Sequence, residues 1–486
     1  MRLSELLREV EFEGSIKNDF DIKFVTDDSR LVRPGALFVC IRHRSFDGHT
    51  AAAEALASGA AAVVTQERLG LENELNVADS RAAYARLCAA LCGHPERKLR
   101  MIGVTGTNGK TTVTTLIRNI LSDSGIKTLL TGTVCNRLGE ESLPSGLTTP
   151  KPPELYSLLS RAVLSGCEAC VAEASSQALA QGRLEGIAFD AAVFTNITRD
   201  HLDYHGTFEN YLAAKKKLFE HSEVSAVNLD DPRADEIIAA SSGKTVTFST
   251  VLDCADYTAK NISLLPEGVS FELVSKGRIE HINFASPGLF SASNAMAAVV
   301  CAINLGVDPR SAAQSLARSK GVCGRLERVE CGTPYSVIID YAHTPDGLEQ
   351  VLRALRPSCR GKLIVLFGCG GDRDKTKRPL MGAAACKYAD TVIVTSDNPR
   401  SEEPMKIIGD ILKGTDKKCR GLFIEEDRRR ATALALSLAK PGDTVLLAGK
   451  GHEKYQLICG EKLPLDERET VREILGLPHD TGRKKP

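Results

Sequence analysis

Short, densely apolar runs alternate along the chain with alanine-rich helical stretches, and glycine and polar residues mark the joins, which is the pattern of α/β units. ALFVCI reads as a strand, and TAAAEALASGAAAVV as a helix broken at Gly59 before another strand, so residues 1–95 are expected to form a small α/β domain. From Leu99 the strand RMIGV enters a Gly/Thr loop and then a helix. The same order recurs through EACVAEAS and DAAVFTNIT, predicting a mostly parallel, doubly wound sheet for a central domain over 96–325. After SASNAMAAVVCAINLG and the turn-rich GVCGRLERVECGTP come YSVIIDYAHTP, KLIVLFGCGGDRD, DTVIVTSDNPR and DTVLLAGKGHE. Each is a strand ending in glycines and polar residues, where open α/β sheets place their ligands, so a Rossmann-like domain is expected over 326–486.

A length of 486 residues, at about 150 per domain, agrees with three domains, and 43% hydrophobic residues can fill their cores. Disorder and small disulfide scaffolds are excluded. Lys and Arg total 62 against 62 Asp and Glu, so no global field draws the chain to nucleic acid or anionic lipid. An anionic ligand must therefore be held by a local site. The longest uncharged apolar stretch, Ala295 to Ile303, falls far short of the roughly 20 residues of a membrane span, and a soluble, unexported protein is expected. Fifteen scattered cysteines suit reduced thiols in a cytoplasm, with the CxxC pair Cys167 and Cys170 read as buried strand thiols. The basic terminus GRKKP is expected to fray.

The chemistry concentrates in GVTGTNGKTT, Gly103 to Thr112, between an apolar strand and a helix. There the backbone N–H groups and the positive helix end converge on a point suited to polyphosphate. Lys110 would neutralise the β/γ-phosphates and the Thr111 hydroxyl would reach Mg²⁺, although Val104 stands where the common phosphate-loop pattern has its first glycine. By itself this signals an NTPase or kinase. Glu173 ends a strand and offers oxygen to Mg²⁺; His201 follows another strand end and suits either a ligand or a structural role. In ENYLAAKKKLFEH, helical periodicity sets Tyr211, Lys215 and Leu218 on the apolar side while Lys216 and Lys217 look outward, and a snorkelling Lys215 is the simplest reading of the residues alone.

TGTNGKTT, EASS, TNITRDHLDYHG, YLAAKKKLF, GRLE, DYAHTP and DNPR, in that order over nearly the whole chain, resemble the Mur ligases of peptidoglycan synthesis. The resemblance implies an ATP- and Mg²⁺-dependent amide ligase that adds meso-diaminopimelate to UDP-N-acetylmuramoyl-L-alanyl-D-glutamate through an acyl phosphate. It places the phosphate loop on Gly106, Thr107, Asn108, Gly109, Lys110, Thr111 and Thr112, and Mg²⁺ contacts on Thr111, Glu173 and His201. Lys215 matches a lysine carried as a carbamate, an anion able to hold a second Mg²⁺. Adenosine contacts are implied for Asn294, Arg325, Asp340 and His343, with Ser291 replacing a second asparagine.

Ser29 in TDDSR matches a uridine-binding serine; Thr148, Thr149, Ser175, Gln181 and Arg183 match residues that hold the muramoyl dipeptide. Gln177 stands for a usual histidine and His43 for a common glycine. Arg373, Asn398, Arg400, Gly449 and Glu453 match the diaminopimelate-binding set, in which a guanidinium fork clamps the distal carboxylate and Glu453 pairs with the amine. The resemblance also leads to the expectation of a monomer acting on small molecules, without nucleic acid or membrane. Alternatives are a lysine-adding relative, against which DNPR argues, a folylpolyglutamate synthetase-like ligase, against which TDDSR argues, and a nucleotide-switched binding protein.

Overall fold

The computed structural model describes residues 1–478 except 15, 44, 45, 266, 320, 416–418 and 420, so the GRKKP terminus lies outside the described residues. Three α/β layers follow one another along the chain. In the first, Phe24–Thr26, Ala36–Val39, Ala62–Thr65 and Glu74–Asn76 pair in chain order as a parallel sheet. The alanine-rich helix covers only Ala52–Ala57, and Gly59 turns the chain at φ 98° into the next strand.

The central sheet has eleven strands among the described residues. Its parallel part runs from Tyr257–Leu265 through Lys244–Ser249, Ser222–Asn228, Phe189–Phe194, Arg100–Thr105 and Ala169–Glu173 to Thr128–Thr131. Arg100–Thr105 is buried on both faces beyond its first residue, as a strand sandwiched by helices must be. The helices Lys110–Asp123 and Leu289–Asn304 close one face, with Val113, Leu116, Ile117 and Ile120 facing Ala292, Ala295 and Val299 in a common core.

Both edges of this sheet turn antiparallel: Asn136–Leu138 and Glu141–Leu143 at one side, Gly268–Ser275 and Arg278–Phe284 at the other. The motif-led reading assigns none of these strands. They carry no ligand motif, and hairpins along Tyr257–Phe284 pair locally without the strand-helix rhythm.

The third sheet orders Glu327–Arg328, Ser336–Asp340, Thr444–Ala448, Leu363–Phe367, Thr391–Val394 and Leu422–Ile424, with only the first pairing antiparallel. A hairpin, Tyr455–Ile458 with Glu461–Pro464, follows its last parallel strand. All described cysteines are free thiols; Cys167 and Cys170 are buried, and burial pushes Cys170 up to about 12. No helix of the described residues is long and apolar enough to cross a membrane.

Candidate functional site

Three neighbouring strands of the central sheet, Phe189–Phe194, Arg100–Thr105 and Ala169–Glu173, end on one side of a cavity of about 300 Å³. Arg100–Thr105 delivers the loop 106–109, which can turn so tightly only because Gly106 sits at φ 153° and Gly109 at φ 89°. A Cβ at Gly106 would overlap the Thr195 hydroxyl, and one at Gly109 would press into the Asn294 amide oxygen.

The strand Phe189–Phe194 braces the loop from beside it. Thr107 N–H donates to Asn196 O at 2.8 Å, Asn108 N–H to Asn196 Oδ1 at 3.0 Å, and Thr195 Oγ1 donates to Asn108 O at 2.6 Å. The helix Lys110–Asp123 begins with no side-chain cap, so its first N–H groups remain free to meet an anion. Lys110 folds back to donate to Gly106 O at 2.8 Å and Thr107 O at 2.9 Å, and burial pulls its ammonium below the usual lysine value. Thr112 also lines the cavity.

Opposite Lys110, Glu173 is buried at the end of its strand. Its Oε2 accepts from the Thr111 hydroxyl at 3.0 Å and the Thr133 hydroxyl at 2.9 Å, while Oε1 accepts from Thr133 N–H at 2.8 Å. Gly132 is packed so closely on Oε1 that a Cβ there would overlap it. Thr133 carries no motif in the sequence, and only the fold reveals it as the clamp on Glu173.

His201 begins the short helix Leu202–His205 in the left-handed region, φ 52°, with its own N–H held by Asp200 Oδ1 at 2.8 Å. Burial lowers its pKa below the ordinary histidine value. Lys215, on the helix Phe208–Lys216, is 1% exposed and does not snorkel. Its ammonium stands 4.6 Å over the Tyr211 ring with no carboxylate in ion-pair contact among the described residues, and burial, aided by the nearby Lys110 charge, drives its pKa well below the lysine range. Tyr211 itself bonds the Thr107 hydroxyl at 2.9 Å, tying this helix to the phosphate loop.

The cavity's far wall comes from the third sheet. Arg325 donates to the Thr111 hydroxyl at 3.2 Å and lies over the Tyr341 ring at 4.6 Å. Asp340 accepts from Leu326 N–H and Ala342 N–H, both at 2.7 Å, and burial raises its pKa. His343 donates from Nδ1 to Tyr341 O at 2.9 Å and is pulled by burial to about 4. Asn294 and Ser291 line the same cavity, Ser291 turning its hydroxyl to Pro287 O at 2.8 Å. Asp346, which no motif singled out, crosses between the layers: its Oδ2 accepts from Asn108 Nδ2 at 3.1 Å, Thr198 Oγ1 at 3.3 Å and Gln350 Nε2 at 2.9 Å.

Thr148, Thr149, Ser175, Gln177 and Arg183 also face the cavity. Arg183 is anchored by Thr149 O at 2.7 Å and by Gln181 Oε1 at 2.7 Å, so Gln181 orients the guanidinium from just outside. Ser29 lies apart in the first layer, on the turn Ser29–Leu31. Its neighbour Asp27 meets Lys151 at 3.0 Å and His43 at 3.4 Å, a bridge between the first two layers.

The remaining predicted residues form a second cluster at the carboxyl ends of the third sheet. Arg400 takes φ 55° and donates through Nη1 to Gly371 O at 2.8 Å; burial, then the nearby Arg373 charge, lowers its pKa. Arg373 is exposed beside it. Gly449, at φ 109°, lets the chain pass Asp397, whose Oδ2 would crowd any Cβ there. Asn398 donates to Glu453 Oε2 at 2.9 Å. Tyr341 joins the two clusters, lining the cavity while its ring packs 5.1 Å from His452. Gly324, at φ 69°, runs against the backbone of Gly451 and His452 so closely that no side chain would fit between.

The donor set fits Mg²⁺. Thr111 Oγ1 and Glu173 Oε2 converge as oxygen donors, and no group of three or more His, Cys, Asp and Glu able to hold a metal occurs among the described residues. Magnesium keeps several waters and takes one or two protein oxygens plus phosphate, whereas zinc needs a richer N/S cage.

Residues 21–89, 104–302 and 324–451 match, respectively, the Mur ligase family catalytic domain, the Mur ligase middle domain and the Mur ligase glutamate ligase domain. The chain is 43% identical to the UDP-N-acetylmuramoyl-L-alanyl-D-glutamate--2,6-diaminopimelate ligase of Syntrophomonas wolfei, over 98% of this chain and 99% of that protein. It is also 43% identical, with the same coverage, to the protein of that name from Caldanaerobacter subterraneus. A solved structure described by the same name superposes with a TM-score of 0.71 at 34% identity, covering 98% of this chain and 99% of the other.

Proposed function

The chain belongs to the Mur ligase family, and from that premise we propose that it is an ATP-dependent amide ligase joining meso-diaminopimelate to UDP-N-acetylmuramoyl-L-alanyl-D-glutamate. The observation that carries this reading is the pairing of two clusters. One is a cavity built for polyphosphate around Lys110, Glu173 and Lys215; the other, reached past Tyr341, sets Arg400 and Glu453 near each other. We assign the first layer, 1–95, to the UDP moiety through Ser29, the central layer, 96–325, to ATP and the muramoyl dipeptide, and the third, 326–486, to the amino acid. The enzyme would work as a monomer on small molecules in the cytoplasm.

In this mechanism the D-glutamyl γ-carboxylate attacks the γ-phosphorus of ATP; a P–O bond forms and ADP leaves. The diaminopimelate amine then attacks the acyl carbon, a C–N bond forms and inorganic phosphate departs. Lys110 leaves the carbonyls of Gly106 and Thr107 for the β/γ-phosphate oxygens, and the uncapped helix start meets them with N–H groups. Thr111, Glu173 and His201 would hold Mg²⁺, which supplies charge neutralisation when bound. Burial disfavours the Lys215 ammonium and so favours the free amine that reacts with CO₂; the resulting carbamate would add an anionic ligand beside them. Asn294, Arg325, Asp340 and His343 surround the nucleoside; Thr148, Thr149, Ser175, Gln181 and Arg183 hold the dipeptide. Arg373, Asn398, Arg400, Gly449 and Glu453 receive diaminopimelate.

Phosphate release from ATP, measured with the UDP-linked dipeptide and a panel of amino acids, tests the proposal. Release should require both the dipeptide and an amine, and diaminopimelate should be preferred. Preference for lysine, use of a folate acceptor, or slow release without either partner would overturn it in favour of another ligase or a nucleotide switch.

A further inference from the structure

Lys450 is fully buried at the end of Thr444–Ala448, an uncommon place for a lysine. Its ammonium donates to Asn398 Oδ1 at 2.8 Å and to Glu453 Oε2 at 2.7 Å, and lies 5.5 Å from the centre of the Tyr455 ring. Leu457 N–H also donates to Asn398 Oδ1, at 2.9 Å, so the Asn398 amide has one orientation: oxygen inward, nitrogen toward Glu453 and the cleft. Glu453 is 16% exposed. Its Oε2 is taken by Lys450 and Asn398, leaving Oε1 without a hydrogen bond among the described residues.

We propose that Lys450 is a positioning residue that sets amino-acid specificity, by fixing Asn398 and Glu453 and cancelling much of the Glu453 charge from within. The inference rests on the proposed diaminopimelate reading of this cluster. Its physical content is a charge balance. Arg373, Arg400 and Lys450 stand against Asp372, Asp397 and Glu453, so charge is balanced around the place where the amino acid's far end would lie, and Lys450 is part of that balance. A far end bearing both carboxylate and ammonium is neutral and can satisfy Arg400 and Glu453 Oε1 together. A far end bearing ammonium alone, as in lysine, adds an uncompensated positive charge to this balanced set and leaves Arg400 unpaired. Removing the Lys450 charge returns the full carboxylate charge to Glu453 and leaves its Oε2 bonded by Asn398 alone, which favours the bare ammonium.

The test is the ratio of kcat/KM for diaminopimelate to that for lysine, in the full chain, for the wild type, Lys450→Met and Lys450→Gln. Gln keeps a donor to Asn398 and removes only the charge, so it carries the test where Met fails to fold. The ratio should fall at least tenfold in both variants, with KM for ATP within about twofold of wild type, since Lys450 does not line the phosphate cavity. A ratio unchanged while both amino acids lose activity equally would reduce Lys450 to a structural role and overturn the inference. A wild type that does not use diaminopimelate at all would instead overturn the function reading, before either variant is compared.

Discussion

The phosphate loop and the proposed diaminopimelate cluster are both built from strand-end loops with glycines in the left-handed region, yet they are assembled in opposite ways. The first is one contiguous stretch, 106–112, whose proposed ligand would be met by consecutive backbone N–H groups, and its neighbours Thr195, Asn196 and Tyr211 only brace it. The second gathers Arg373, Asn398 and Arg400, and Lys450 and Glu453, from three separate turns, and all but Arg373 are held by another loop's carbonyl or amide. A polyphosphate is a repeated anion that backbone can read, whereas an amino acid with charges of both signs needs side chains brought from several directions. On the proposed reading, reaction type is written locally and choice of amino acid in the tertiary structure.

The sharpest break between the two regions should come from Lys110→Ala. Losing a cation at the β/γ-phosphates should lower kcat by roughly 10²–10³ for every amino acid offered. A rate loss confined to diaminopimelate would mean the two clusters do not divide the labour as described. Lys215→Ala should be as severe, with partial recovery on adding short carboxylates; full activity without them would remove Lys215 from the reaction.

Arg400→Lys is the complementary experiment. Exchanging a planar fork for a point charge removes a charge-assisted hydrogen bond, about 1.5–3 kcal/mol, so the diaminopimelate kcat/KM should drop roughly ten- to a hundredfold. The Michaelis constants for ATP and the UDP-linked dipeptide should stay near wild type. Equal losses for all three substrates would make Arg400 a support of the fold.

Asp346→Ala probes the seam between the layers. Its bonds to Asn108 and Thr198 couple the helix Pro345–Leu355 to the phosphate loop, and losing about 1 kcal/mol of net hydrogen bonding should raise the ATP KM about fivefold. An ATP KM indistinguishable from wild type would show that the loop is held by Thr195, Asn196 and Tyr211 without Asp346.

The smallest effect is on stability against pH. Burial pulls His205 from 6.5 to about 4, so the unfolded chain binds this proton at a higher pH than the folded one. The stability it contributes is present above about pH 6.5 and is lost as the pH falls toward 4. The urea midpoint should fall across that window, less steeply in His205→Gln; identical slopes would assign the titration to other groups.

Much of this was legible in the sequence because nucleotide recognition leaves contiguous strings: TGTNGKTT named its loop, and the strand-helix rhythm gave the parallel sheets. The spacing in YLAAKKKLF put Lys215 inward but could not tell a snorkelling chain from a sealed one, since that depends on Tyr211 and on helices distant in sequence. Thr133, Asp346 and Lys450 escaped for a related reason. Asp346 directly follows the quoted DYAHTP and Lys450 sits inside the quoted GKGHE, but what singles each out is a partner 52 or more residues away. Thr133 meets Glu173 from 40 residues upstream, with nothing but a glycine before it to mark the spot.

Gly324 and Gly451 cross backbone to backbone, with Tyr341 pressed on the second. For anyone grafting the last layer of one such enzyme onto the body of another, the seam is not where the sheets part at residues 325 and 326. A joint cut there would separate two glycines that fit only each other, and a donor with any larger residue at either place would wedge the crossing open. The exchangeable unit begins upstream of Gly324, and both glycines must travel together.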